Sequence, residues 1–264
     1  TLLMISTLYG EYSLAGLVNA LVVIAMAAAS PIQARLVDRY GQAKVLRPLV
    51  ACSLVLLLAL ILSSLFHAPR WTLYLFALLS GATTGSFGAF VRARWTHLLA
   101  GSRKLNTAYA FEAAVDELIF IFGPIIATVL ATVVHPAAGI VACLVTSGIG
   151  GFWFLSQRAT EPVVTAKSDL SDQEAKPLMK SAAMVILGLI FMLCGFTFGG
   201  LDLTVVAFCR EQGVAQISGL LLAMFGVTSF SSAVIYGAKE WGISALRLFL
   251  GGITLMAIGF STFF

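Results

Sequence analysis

The chain has 264 residues, of which 59% are hydrophobic and 11% charged, against roughly 45–50% apolar and about 25% charged in an ordinary soluble domain. That excludes a water-soluble globule, and at roughly 20 apolar residues per crossing it leaves room for about eight membrane spans with short connections. Sixteen basic and 12 acidic residues give a net charge of +4; no basic patch is interleaved with aromatics, which argues against nucleic acid as a partner.

The sequence opens at Thr1 inside an apolar run and closes at Phe264 inside another, which reads as a fragment of a longer chain. No basic stretch precedes the first apolar segment, so a signal peptide is not expected. A partial span is predicted at 1–9. Full spans follow at 14–34, 48–66, 71–91, 108–134, 137–155, 182–209 and 217–237, and a last one starts at 245. Runs this long, without the period-two alternation of barrel strands, predict an all-α polytopic membrane protein with seven complete and two partial helices.

Successive connections alternate sides of the membrane. All basic residues except Arg70 and Arg210 then fall on one face, which the positive-inside rule makes cytoplasmic. Trp71, Trp95 and Trp241 lie at span ends and fit an interfacial aromatic belt. The polar stretch 158–180, with its charges and Pro162 and Pro177, predicts a cytoplasmic linker. It divides a six-helix bundle at 1–157 from helices seven to nine at 181–264. Parallel repeats meeting around a midplane site are built this way. A short internal echo agrees: Asp38-Arg39-Tyr40-Gly41 with Leu46-Arg47 recurs as Lys239-Glu240-Trp241-Gly242 with Leu246-Arg247.

Between the second and third spans stands Ala34-Arg35-Leu36-Val37-Asp38-Arg39-Tyr40-Gly41-Gln42-Ala43-Lys44-Val45-Leu46. This resembles the loop signature of the major facilitator superfamily, in which a Gly is followed after three residues by Asp-Arg, one residue, Gly and basic residues. Ala34 replaces the first Gly, and Gln42-Ala43 replace two basic positions. The resemblance implies a twelve-helix secondary transporter of the cytoplasmic membrane that moves a small molecule by rocking two bundles, here lacking part of helix nine and helices ten to twelve. It implies no cofactor, and the lipid bilayer as surroundings. In the family this loop is a conformational latch, which would assign Asp38, Arg39, Gly41 and Lys44. Gly41 permits the tight reversal, and Arg39 and Lys44 can anchor to anionic lipid.

Charges inside spans usually face a cavity or a partner, because insertion of each costs about 2.5–3.5 kcal/mol. The fifth span has three: Glu112, Asp116 and Glu117. A rise of about 1.5 Å per residue puts Asp116 roughly 12 Å from Ala108, near the midplane. Glu112 and Asp116 share one helix face and Glu117 points about 100° away. Two readings stand open for these acids. They are proton-coupling groups, or they form a structural network with Arg92, Arg94 or Arg103.

Seven residues beyond Asp116 come Gly123-Pro124. The pair resembles the fifth-helix signature of antiporters in the superfamily, which shapes the contact between bundles and implies efflux. A proline kink relieved by a small neighbour is the alternative. In the fourth span, Gly81, Gly85 and Gly88 suit close helix packing. By the family resemblance Thr83, Thr84 and Ser86 are cavity candidates there. Ala77 stands where proton-linked drug exporters have an intramembrane Arg. Asp202 in the seventh span and Asn19 in the second are shallower candidates.

The competing classes are a membrane enzyme, a seven-helix receptor and a non-transporting relative of the same fold. No HExxH or GxSxG is present, and His67, His97 and His135 lie near membrane surfaces without a partnering carboxylate pattern. Cys52, Cys143, Cys194 and Cys209 have no metal-ligand or disulfide spacing, so buried thiols and no metal site are expected.

Overall fold

A computed structural model describes residues 1–102, 104–164, 181–214, 218–239 and 241–261. Arg103, Glu240 and most of the predicted linker lie outside the described residues. Among the described residues the protein is all helical, with α1 (Leu2–Tyr9), α2 (Tyr12–Tyr40), α3 (Gln42–Leu65), α4 (Arg70–Thr83), α5 (Phe87–Leu98), α6 (Lys104–Val129), α7 (Ala138–Ser156), α8 (Ala182–Glu211), α9 (Ser218–Ala238) and α10 (Ala245–Ser261). A π turn at Leu130–Val134 ends α6, and a 3₁₀ turn at Arg158–Thr160 follows α7.

Among the described residues, five stretches are long and apolar enough to cross a bilayer: α2, α3, α4 with α5, α6 with its π turn, and α7. The chain is a multi-pass integral membrane protein. Among the described residues many large apolar side chains are exposed, Ile24, Val55, Phe120 and Ile149 among them, as a lipid-facing surface requires. Cys52 and Cys143 are likewise exposed instead of being buried; Cys209 is buried.

Around α2, two apolar cores form one above the other. At the end where α2 begins, Met4, Ile5, Leu14, Val18, Leu60, Leu73 and Ile140 pack together. At the end where α2 turns into α3, Val37, Leu46, Val50, Phe90 and Leu155 make a second cluster. Between them the helices carry hydroxyl and amide side chains, and there the fourth span departs from expectation. It is not one helix: α4 ends at Thr83, α5 starts at Phe87, and Thr84-Gly85-Ser86 are non-helical. No proline lies in the break. Thr83 Oγ1 and Thr84 Oγ1 both donate back to the carbonyl of Ser80, at 3.1 and 2.8 Å, and this local bonding competes with helix continuation.

The second span also runs further than its hydropathy suggests. α2 continues through the latch motif to Tyr40 and α3 begins at Gln42, so Gly41 alone makes the turn, at φ 91°. A left-handed conformation of that kind strains any residue with a Cβ.

α2 and α4 approach closely at Gly81, where an added Cβ would lie 2.3 Å from the Val22 carbonyl oxygen and 2.9 Å from its Cα. Backbone cannot yield as a flexible side chain can. Gly81→Ala should therefore separate α2 from α4 and lower the melting temperature in detergent, at a cost of about 1–3 kcal/mol or more. Gly16→Ala is the control, because nothing lies within 4 Å of its added methyl. Equal melting of the two variants would contradict this packing.

Candidate functional site

Polar groups gather in three places: a clamp where the end of α2, the start of α3 and the ends of α5 and α7 meet, a charged cluster between α5 and α6, and the break in the fourth span.

The clamp centres on Arg94, 5% exposed. Its Nε donates to Gln42 Oε1 at 2.8 Å, and its Nη1 donates to the carbonyls of Phe154 and Gln157 and to Thr160 Oγ1 at 2.9–3.0 Å. The guanidinium also lies 3.7 Å over the Phe154 ring. Gln42 Nε2 donates to the Phe90 carbonyl at 3.2 Å. Arg47 Nη2 donates to the Leu155 carbonyl at 2.9 Å. Two arginines thus satisfy the orphan carbonyls at the end of α7, where the helix dipole is negative.

The start of α3 is capped by a carboxylate from beyond α7. Ala43 N donates to Glu161 Oε1 at 2.8 Å. At Gly41 an added Cβ would lie 3.1 Å from that oxygen and 3.3 Å from Val164 Cγ2, so the turn needs glycine for space as well as for its φ. Residues 158–164, the head of the predicted linker, are therefore seated on α3 and α5.

Asp38, assigned to the latch by the resemblance, is exposed and has no hydrogen bond or ion pair among the described residues. Arg39 and Lys44 lie over the Tyr40 ring, at 5.1 and 5.7 Å from its centroid. Sequence reasoning missed Gln42, Glu161 and the role of Arg94. Gln42 counted there as a departure from a motif, although its amide can both accept from Arg94 and donate to a carbonyl, which no basic residue can do.

On α6, Glu112 and Asp116 share one face as predicted from their spacing, and Arg92 of α5 reaches both. Arg92 Nε lies 3.3 Å from Glu112 Oε1, and Arg92 Nη2 donates to Asp116 Oδ2 at 3.1 Å. The Glu112 side chain is nearly buried, whereas Arg92 and Asp116 are about half exposed. Glu117 turns the other way and accepts from Ser229 Oγ of α9 at 2.5 Å. The helix therefore faces α5 with two carboxylates and α9 with a third. Against α9 it packs tightly at Gly237, where an added Cβ would collide with Ala110 Cβ, and at Gly226, where Ile121 Cγ1 would be 3.0 Å away.

Gly123 has open space around it and Pro124 is exposed. The α6–α9 approach is made at the other positions just named. Asn19 lines a mainly apolar groove of about 370 Å³ with Thr1, Leu57, Ala127 and Cys143. Asp202 falls within α8, and its side chain lies outside what is described. The loop that echoes the latch stacks Trp241 on Tyr236, with Lys239 above Trp241, beside a cleft of about 720 Å³ that Lys104 also lines.

At the break, Gln33 of α2 donates through Nε2 to the carbonyls of Ala82 and Thr84, at 2.8 and 3.4 Å. Ser53 Oγ of α3 lies 3.2 Å from Thr84 Oγ1, and Ser30 Oγ lies 3.2 Å from Ser86 Oγ. Thr83 Oγ1 donates to carbonyls of its own helix. Thr84 and Ser86 thus meet neighbouring helices, while Thr83 does not.

Fold and site together define a polytopic helical membrane protein in which the ends of α2, α3, α5 and α7 are tied by buried arginine and amide contacts. A family model described as Major Facilitator Superfamily matches residues 1–264. The chain belongs to the major facilitator superfamily of secondary transporters. No curated protein and no solved structure matches it.

If Arg94 holds the clamp, Arg94→Met should cost about 2–4 kcal/mol, because it leaves buried carbonyls and Gln42 unpaired. Arg94→Lys should recover only part of this, since an ammonium cannot reproduce the fork of donors. Melting in detergent, with proteolysis of 158–164 as a local probe, checks both. Wild-type behaviour of Arg94→Met would remove the clamp.

Proposed function

We propose that the protein is a secondary active transporter that moves a small molecule across the cytoplasmic membrane by alternating access. The two moving parts are the bundle at 1–157 and the helices at 181–264, joined by the linker at 158–180. Protons couple the cycle through Arg92, Glu112 and Asp116, and efflux is the direction suggested by the resemblance of Gly123-Pro124 to the antiporter signature.

One observation carries this reading: a single guanidinium serves two carboxylates of α6 at the junction with α5. With both acids ionised the trio has net charge −1. One proton taken up brings it to zero, and a neutral cluster is far less costly to close off in a low-dielectric interior than a charged one. Proton occupancy would then bias which way the bundles close. Glu117 supports the same reading from the other side, because its bond to Ser229 ties α6 to α9 across the two parts.

In proteoliposomes loaded with a pH-sensitive dye, one pool of candidate compounds should change internal pH in the wild type. Asp116→Asn replaces one of the two acids that Arg92 serves with a neutral amide of the same size, and its flux should fall to background while insertion and melting stay near wild type. Proton-linked flux at the wild-type rate in this variant would refute the coupling assignment and leave the trio a structural network.

A further inference from the structure

The break in the fourth span has a feature that its hydrogen bonds do not account for. Gln33 is 4% exposed, and its Nε2 is committed to the Ala82 and Thr84 carbonyls. Flipping the amide would aim oxygen at two carbonyl oxygens, so its orientation is fixed. Its other atom, Oε1, is buried beside the break with no donor among the described residues. A buried acceptor left unpaired is costly, and the group that satisfies it must be a donor or a cation.

The surroundings decide the class. Ser30 and Gln33 lie three residues apart on one face of α2, Ser53 approaches from α3, and Thr84 and Ser86 stand on the break. Every one of these groups presents oxygen and none is charged. The C-terminal end of α4, where a helix dipole is negative, adds its carbonyls. Oxygen ligands select hard cations, and a set with no carboxylate suits a single charge, since divalent sites recruit acidic ligands. The two hydroxyl pairs are each 3.2 Å apart. Ligands around a cation with metal–oxygen distances of about 2.3–2.6 Å stand roughly 3.3–3.6 Å apart, so the spacing within each pair is close to that of two ligands on one ion. Gln33 Oε1 is sealed from solvent, which excludes an organic solute as its partner and admits an ion only if the surrounding oxygens shift.

We propose that the interrupted fourth span is a monovalent cation site of sodium size, with Gln33 Oε1, Ser53, Thr84 and the hydroxyls of Ser30 and Ser86 as its oxygen donors. The ion neutralises the end of α4 and holds the two half-helices in register, as unwound segments do elsewhere in transporters.

The test is thermal melting of the purified protein at constant ionic strength in sodium, potassium or choline chloride. Binding to the folded state raises the melting temperature with ion concentration. A saturable rise with sodium, absent with choline, is expected, and Gln33→Leu should abolish it. Gln33→Leu also removes two bonds to the break, so Ser53→Ala is the second variant. It leaves those bonds in place and should raise the half-saturating sodium concentration about tenfold, as loss of one ligand does. Identical wild-type melting in sodium and choline would overturn the proposal. So would an unchanged sodium response in Ser53→Ala or in folded Gln33→Leu. The readout does not involve transport, so its failure is separable from failure of proton coupling.

Discussion

A chain that crosses a bilayer has no water to satisfy its amides, so each interruption of a helix has to be repaired by another part of the protein. That constraint organises this structure. Where the fourth span unwinds, Gln33 reaches across from α2 to take the Ala82 and Thr84 carbonyls. Where α7 ends, Arg94 and Arg47 take the carbonyls of Phe154, Leu155 and Gln157. Where α3 begins, Glu161 takes an amide. Each repair comes from a different helix or turn, and together they make one unit of α2, α3, α5 and α7.

The spans were readable because hydrophobic length is dictated by the bilayer. Gly41 was readable too, since a one-residue reversal between helices requires a positive φ. Other features were not legible for physical reasons. Hydropathy cannot locate a helix end within a polar segment, so the latch looked like a loop although α2 runs on to Tyr40. The break was hidden because Thr84, Gly85 and Ser86 suit helix packing as well as unwinding, and the choice is made by Gln33, fifty residues earlier. Arg94 looked like a partner for the acids of α6, but its place on α5 turns it to the α7 carbonyls, while Arg92, two residues earlier, reaches the acids. Only the fold decides between two such neighbours.

α6 joins what the clamp holds rigid to what lies beyond it. Its two carboxylates face Arg92, its third faces Ser229, and small residues let α9 approach closely. Buried arginine contacts bind the clamp. By contrast, among the described residues α6 meets α9 through apolar packing and one hydrogen bond to a carboxylate. Interfaces of the second kind can slide without leaving a buried guanidinium unpaired, and under the proposed alternating access the α6–α9 seam is where the two parts would move.

The most direct measurement is a pair of spin-label distances in the membrane-reconstituted protein, recorded at acid and alkaline pH. Labels at the exposed positions Lys44 and Arg158 report within the clamped unit, and labels at Lys44 and Lys239 report across the seam. The account predicts one narrow, pH-independent distance for the first pair. For the second it predicts two populations whose ratio changes with pH. A single unchanging distance for both pairs would contradict alternating access by rigid bundles, and movement within the first pair would contradict the clamp.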